Sequence, residues 1–234
     1  MKKLLNTILI LTAFVAVSLP LHANAPHEIK RATLIDWLDT SEAILQDMQS
    51  SSKTAIPVEV LRRAQAIVVI NQVHAGIFLG IKDGYAVALV RRPNGKWSIP
   101  VFLRAAETSL GFQLGVKSEN TVLVIMDEAT TRLLLKNRFN FGAEAKAQAG
   151  VRGRESEAVN RQLTEGANIL AYSLRDGYYF GATVKTGFMQ PDEVANRTFY
   201  KTNHRTPELL FSDWVTPPEE TNFLINYVTR LTNR

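Results

Sequence analysis

The hydrophobic period of the chain changes near Ile67, and this change limits the folds that the chain can adopt. Before it, an apolar stripe with residues three or four apart runs from Leu34 to Met48 and predicts a helix over 28–50. Pro57 suits the first turn of a second, short helix. After it, short runs rich in β-branched residues, such as 67–70 and 121–126, predict strands. We therefore expect an α+β fold.

The spacing of the glycines adds a constraint on the sheet. Several of them lie four residues apart, namely Gly76, Gly80 and Gly84, then Gly111 and Gly115, then Gly177 and Gly181. Residues four apart on a strand share a face. A row of glycines on that face has no side chains, so it permits another backbone to approach closely or the sheet to coil sharply. The pattern predicts a curved, largely antiparallel sheet, barrel-like in the extreme case. No glycine-rich phosphate-binding motif is present.

Local turn signals divide the predicted strands. Lys82-Asp83-Gly84 predicts a turn between strands at 77–79 and 85–90. The sequence 93–96, Pro-Asn-Gly-Lys, predicts a second turn that leads into a strand starting at Trp97. Residues 109–117 alternate as a strand, and 169–174 with 178–184 read as a hairpin.

Three further helices are expected. Asp127 can cap one that ends near Lys136, and 191–200 reads as another. Thr216 to Glu219 reads as a capping box for a C-terminal helix. Its apolar face is predicted to comprise Phe223, Leu224, Tyr227, Val228 and Leu231.

The N-terminus has the pattern of a secretory signal peptide. Lys2 and Lys3 precede an apolar run, Pro20 ends it, and Ala23-Asn24-Ala25 has the small-x-small form of a cleavage site. We expect residues 1–25 to be removed, which leaves 26–234 as a single domain in the periplasm. Cleavage would lower the formal net charge of +5 by two. This weak basicity is compatible with anionic lipid and does not indicate a nucleic-acid binder.

A set of ordered motifs over Ile56 to Tyr200 resembles the SYLF domain family, which includes yeast actin-patch proteins. The matching positions are Gly76, Gly80, Trp97, Ser98, Pro100, Gly111, Gln113, Gly115, Gly150, Tyr172, Ser173, Gly177, Gly181 and Gly187. The chain departs from the family pattern at Ala75-Gly76, where a Gly-Gly pair is usual.

The resemblance implies an α+β domain that binds membrane lipids. Eukaryotic members bind phosphoinositides and some bind actin. Because an exported protein would not meet actin, we do not expect an actin role here, and the resemblance does not fix a headgroup.

The residue pattern gives no sign of an enzyme, a cofactor or a metal site. His27, His74 and His204 have no ligand spacing between them, and no serine lies in a nucleophile elbow. Ser98 and Ser173 read as structural hydroxyls, because no base is visible beside either.

Paired basic residues are the better candidates for a binding surface. Lys30, Arg31, Arg62 and Arg63 lie on or beside the two N-terminal helices, so we predict that they contact anionic phospholipid. The first helix could lie in the membrane interface or could pack on the sheet, and the sequence leaves both open. Alternatives for the whole protein are an envelope scaffold that binds other proteins and a carrier of a small lipid in an internal cavity.

Overall fold

The fold combines one large antiparallel sheet with helices from both ends of the chain. The computed structural model describes residues 29–52, 54–75, 79–110, 117–133, 139–140, 168–175, 178–179 and 188–233. The helices in these residues are α1 (Arg31–Gln49), α2 (Val58–Arg63), α3 (Glu128–Leu133), α4 (Glu193–Tyr200), α5 (Thr206–Phe211) and α6 (Asn222–Thr232). A 3-10 turn, Glu219–Thr221, leads into α6.

The strands form a curved, open sheet. They are β1 (Ala66–Ala75), β2 (Leu79–Val90), β3 (Val101–Leu110), β4 (Lys117–Ile125), β5 (Phe139–Asn140), β6 (Ile169–Arg175), β7 (Tyr178–Tyr179) and β8 (Phe188–Pro191). Their order is β5-β8-β3-β2-β1-β4-β6-β7, and each neighbouring pair is antiparallel. The α+β class and the curved antiparallel sheet are confirmed, and the described strands do not close into a barrel.

The core lies between the sheet and the terminal helices. The apolar stripe of α1 is buried at Leu34, Leu38, Leu45 and Met48, as the spacing predicts. Trp37 stacks on Tyr85 of β2 with ring centroids 4.2 Å apart. Residues 66–70 of β1 are buried on both faces, which explains their unbroken apolar run. The first helix therefore packs on the sheet, which is the second of the two arrangements that the sequence left open.

The turn predicted at Lys82-Asp83-Gly84 is wrong, because β2 runs straight through it. Gly84 pairs with Gln72 across β1 and β2. A Cβ atom built on Gly84 would lie 2.2 Å from the carbonyl oxygen of Asn71. The glycine is needed where two backbones come close, and the sequence signal for this need is the same as the signal for a turn.

The second predicted turn is confirmed. Gly95 has a positive φ of 79°, and its N–H donates to the carbonyl of Arg92 at 2.8 Å. Trp97 bridges back to Arg91, but the strand itself begins later, at Val101. The three intervening residues are held by a backbone hydrogen bond from Ser98 to the carbonyl of Val90 and by side-chain contacts, which no local pattern encodes.

The C-terminal helix is confirmed, but its start differs from the prediction. The helix begins through the 3-10 turn with Pro218 at the N-cap position and no side-chain cap, so Thr216 forms no capping box. Leu224, Val228 and Leu231 are buried, whereas Phe223 is 69% exposed. Phe223 lies about 100° around the helix from Leu224, so it faces away from the buried stripe of α6.

Other expectations agree where the structure describes them. Asp127 accepts from the backbone N–H of Thr130 at 2.8 Å and so caps α3, and β6 pairs with β7 as a hairpin. The predicted signal peptide, most of 109–117 and the region 141–167 lie outside the described residues. So do the motif positions Gly76, Gly111, Gln113, Gly115, Gly150, Gly177, Gly181 and Gly187.

Candidate functional site

Arg91 joins the end of α2 to the end of β2. Its Nε donates to the carbonyl of Ala64 at 3.0 Å, and its Nη2 approaches the carbonyl of Arg62 at 3.5 Å. These carbonyls belong to the last turn of α2, where a cation complements the helix dipole. The guanidinium also lies 5.1 Å from the ring centre of Trp97. The contacts bring the backbone of Arg62 against the β2 end.

Arg92 makes the same kind of contact with a different helix. Its Nε donates to the carbonyl of Leu210 at 2.9 Å and its Nη2 to that of Leu209 at 3.2 Å, at the end of α5. Successive residues of an extended chain point to opposite sides, so Arg91 and Arg92 reach different helices. Burial lowers the pKa of both guanidinium groups, and nearby Asp213 partly offsets this for the pKa of Arg92. Both remain charged, because arginine is not deprotonated in proteins.

Five basic residues lie on the segments that these contacts bring together, and we call this region the basic edge. Its members are Arg62, Arg63, Arg91, Arg92 and Lys96. Arg91 and Arg92 are half-buried and hold the frame, whereas Arg62, Arg63 and Lys96 are exposed. Lys96 lies across the turn from Arg92, whose N–H donates to the Lys96 carbonyl at 2.8 Å. The edge therefore presents accessible cations on a rigid support.

The four basic residues predicted from the sequence do not form one site. Arg31 donates from Nη1 to Oε1 of Glu220 at 2.7 Å and lies over the ring of Phe199. The hydrogen bond raises the pKa of Arg31 and, with a backbone hydrogen bond, lowers the pKa of Glu220. Lys30, next to it, is exposed.

Lys30 and Arg31, which we call the Arg31 end, lie near the start of α6. The basic edge lies near the end of the same helix. The Nε1 of Trp97 donates to Oγ1 of Thr232 in the last turn of α6 at 3.0 Å, and Arg91 packs on the same ring. The eleven residues of α6 span about 16 Å. Arg62 and Arg63 thus join Arg91, Arg92 and Lys96, while Lys30 and Arg31 lie apart from them.

The motif residues next to the basic edge make buried contacts. Ser98 Oγ accepts from the N–H of Val90 at 3.0 Å and donates to the carbonyl of Ile99 at 2.8 Å. The carbonyl of Pro100 accepts from the hydroxyl of Tyr200, whose pKa is raised well above its ordinary value by burial. With the backbone hydrogen bond from Ser98 to the carbonyl of Val90, these contacts hold the segment between Trp97 and the start of β3.

The remaining described motif residues lie in strands. Gly80 pairs with Ser109 in the register of β2 and β3. Tyr172 and Ser173 are buried in β6, and Ser173 Oγ lies 3.1 Å from Oγ1 of Thr121 on β4.

Sequence reasoning missed two residues of interest. Asn196 is fully buried, and its side-chain oxygen accepts from the N–H of Phe102 at 2.8 Å. Trp214, in the loop after α5, is 64% exposed. A tryptophan in a polar loop was the available signal for Trp214, whereas no local signal identifies Asn196.

The described residues contain no grouping of three or more potential metal ligands and no helix long and apolar enough to cross a membrane. His204, the one histidine whose side chain is described, lies 3.7 Å from a carboxylate oxygen of Glu208. Its ring lies 5.3 Å from that of Trp214.

Comparison with known proteins identifies the family. Residues 106–231, more than half of the chain, match the family model "Ysc84: Las17-binding protein actin regulator". This match extends further toward the C-terminus than the motifs that carry the resemblance in sequence. No solved structure matches the chain significantly.

Individual relatives are eukaryotic. The cattle "SH3 domain-containing YSC84-like protein 1" is 24% identical over 92% of this chain and 62% of its own length. The rat protein of the same name is 25% identical over 86% of this chain and 58% of its own. The yeast "Protein YSC84" is 28% identical over 70% of this chain and 35% of its own. The chain thus spans about 60% of the animal relatives, and it belongs to the Ysc84, or SYLF, family.

Proposed function

We propose that this protein is an exported, non-enzymatic lipid-binding protein that attaches peripherally to anionic membranes. The observation that carries the proposal is the basic edge, where exposed Arg62, Arg63 and Lys96 surround a frame of two arginines that cap helices. Anionic headgroups supply the charge that such a surface attracts. The family description names a protein partner, Las17, so family membership supports a binding role for the domain and does not specify lipid as the ligand.

The expected attachment is weak and electrostatic. Each basic residue near an anionic bilayer contributes about 1 kcal/mol, and the attraction decays within a Debye length of roughly 10 Å at moderate salt. Arg62, Arg63 and Lys96 together therefore favour reversible binding that salt weakens. Glu59 on α2 and Asp213 beside Arg92 oppose it.

Lys30 and Arg31 keep a smaller role in this proposal. The charge of Arg31 is shared with Glu220, so its attraction for a phosphate is reduced. Lys30 is exposed but lies at the other end of α6 from the basic edge. Removal of Lys30, Arg31, Arg62 and Arg63 together should weaken binding, with most of the loss due to Arg62 and Arg63.

Vesicle co-flotation tests the proposal with two variants of equal net charge. The first, R62Q/R63Q/K96Q, removes the exposed cations of the basic edge. The second, K30Q/R197Q/K201Q, removes the same charge at the Arg31 end, where Arg197 lies on α4 and Lys201 directly follows that helix, near Phe199 in the chain. Phosphatidylcholine vesicles with and without phosphatidylglycerol would be compared at low and moderate salt.

We expect the first variant to lose most of its binding to anionic vesicles and the second to keep most of it. Thermal unfolding would verify that both variants are folded. Equal losses would show that net charge alone acts, which contradicts a localised site. No binding by the folded wild-type protein would contradict the lipid proposal and would favour a protein partner of the kind named for the family.

The proposed compartment is the periplasm, after removal of residues 1–25. Mass measurement of the protein from an envelope fraction would test this. A mature N-terminus at Pro26 is expected, and a protein that retains Met1 in the cytoplasm would contradict it.

One observation favours a second candidate, a carrier of a small lipid. Gln72 is fully buried in β1, and among the described residues neither its side-chain nitrogen nor its side-chain oxygen has a hydrogen-bond partner. A buried amide without partners is costly, and a bound polar headgroup could satisfy it. Native mass spectrometry of the purified protein would detect a retained acyl lipid, and Gln72→Leu should release it. A ligand-free protein would count against this candidate.

A further inference from the structure

Trp214 differs from the other two tryptophans of the chain in its exposure. Trp97 is 7% exposed and donates a hydrogen bond inside the core, and Trp37 is half-buried against Tyr85. Trp214 is 64% exposed, and the contact described for its ring is with His204. An indole left in water forgoes the stabilisation that burial of its large apolar surface would give.

The position of Trp214 relates it to the basic edge. Arg92 donates to the carbonyls of Leu209 and Leu210, and Trp214 follows shortly after them in the chain. Its neighbour Asp213 is close enough to Arg92 for its charge to raise the pKa of that guanidinium, against the lowering by burial. The loop that carries the exposed indole therefore lies next to Arg92, one member of the basic edge.

We propose that Trp214 is an interfacial anchor, which enters the headgroup region of an anionic membrane when the basic edge approaches it. The inference rests on the proposed function and adds an apolar contact to it. Tryptophan is suited to this depth because its ring is apolar while its N–H can still find a polar partner. A few cations alone give marginal attachment, and a second, apolar signal makes it more stable.

The charges around the indole fit a membrane better than an apolar protein groove. Arg92 reaches the end of α5 just before the loop, and its positive charge complements the negative surface of a bilayer. Phe223 is equally exposed but lies at the start of α6, next to the Arg31–Glu220 pair. It provides a matched aromatic control away from the basic edge.

Fluorescence quenching by brominated phospholipids tests the inference directly. The wild-type protein and W214F would be bound to phosphatidylcholine–phosphatidylglycerol vesicles whose acyl chains carry bromine. We expect quenching in the wild type that is largely absent from W214F, whose remaining tryptophans are half-buried and buried. W214A should bind about fivefold to tenfold more weakly than the wild type, because part of the indole burial is lost. F223A should bind as the wild type does.

The charge and anchor contributions differ in their response to salt. The loss caused by W214A should persist at moderate salt, whereas the loss caused by R62Q/R63Q/K96Q should shrink as salt screens the attraction. Binding of the wild type without quenching would overturn the anchor and leave the proposed function standing. If F223A weakened binding as much as W214A, the anchor would also be wrong. Absence of any vesicle binding would overturn both proposals.

Discussion

At the scale of single residues, Gly84 shows how one missing side chain permits a continuous strand. The glycine lies in the middle of β2, where the backbone of β1 approaches closely. A Cβ atom there would also lie 2.9 Å from the Cα of Gln72. Backbone atoms cannot move aside as the end of a flexible side chain can, so a larger residue must distort the pairing of the two strands.

Replacement of Gly84 by alanine should therefore destabilise the fold strongly. We expect a loss of about 3 kcal/mol in the free energy of unfolding, the upper part of the range for overpacking. Gly95→Ala is the matched control, since Gly95 has a positive φ but no atom within 4 Å of its Cβ position. It should cost about 1 kcal/mol through backbone conformation alone. Urea unfolding would compare them, and a smaller loss for Gly84→Ala would contradict the close approach.

At the scale of elements, Asn196 joins α4, α5 and β3 through one buried amide. Its oxygen accepts from the N–H of Phe102, and its nitrogen donates to the carbonyl of Phe102 and to Oγ1 of Thr206, both at 3.1 Å. The side chain thus pairs with a strand residue as a neighbouring strand would. It fixes α4 against the sheet at a point where hydrophobic packing alone would permit sliding.

Asn196→Asp should be more damaging than Asn196→Ala. The aspartate would replace two donated hydrogen bonds with a buried negative charge, and we expect a loss of about 3–5 kcal/mol in the free energy of unfolding. The alanine variant should lose about 2 kcal/mol. Asn222→Asp, at the exposed first residue of α6, should be nearly neutral because the helix dipole favours an anion there. Chemical denaturation measures all three, and equal stability of the two Asn196 variants would contradict the hydrogen-bond assignment.

The pair Arg31–Glu220 ties the start of α1 to the turn that precedes α6. The hydrogen bond from Arg31, a backbone hydrogen bond and the charge of Arg31 lower the pKa of Glu220, against the opposing effect of burial. The folded state therefore favours ionised Glu220. That stabilisation is present above the ordinary glutamate pKa and is lost as pH falls through the lowered pKa of the folded state.

Glu220→Gln should consequently matter at neutral pH and not in acid. Since the pair is about one-third exposed, we expect a loss of only about 0.5–1 kcal/mol at pH 7. Well below the ordinary glutamate pKa of about 4.3, the variant and the wild type should converge in stability. Urea unfolding at several pH values would follow the difference, and a difference that persists unchanged in acid would refute the role of the charge.

The elements that sequence predicted correctly are those with local signals. The stripe of α1 and the Pro-Asn-Gly-Lys turn each carry their information within a few residues. The features that it missed or placed wrongly depend on partners far along the chain. Arg31 meets Glu220 at a separation of 189 positions, and Arg92 meets Leu210 at a separation of 118. No periodicity or turn signal encodes such pairs, so the basic edge could be seen only as separate pairs of basic residues.

At the scale of the whole molecule, the described charges are arranged unevenly. The outer side of α1 carries exposed Asp36, Asp39 and Asp47, whereas Arg62, Arg63 and Lys96 are exposed at the basic edge. Burial and the charge of nearby Asp36 raise the pKa of Tyr85. Tyr85 lies roughly 20 Å along β2 from Arg91. That separation exceeds the Debye length at moderate salt. An anionic membrane would therefore orient the protein with its basic edge inward and its α1 side outward.

This orientation predicts that removal of an acidic residue strengthens binding only at the correct place. Asp213→Asn removes the negative charge beside Arg92, and we expect about fivefold tighter binding to anionic vesicles, which corresponds to about 1 kcal/mol per charge. Asp36→Asn changes the net charge equally but lies beside Tyr85, so it should change binding by less than about twofold at moderate salt. Co-flotation over a salt series compares the two. Equal strengthening by both variants would mean that the membrane responds to net charge alone, and the oriented attachment would then be wrong.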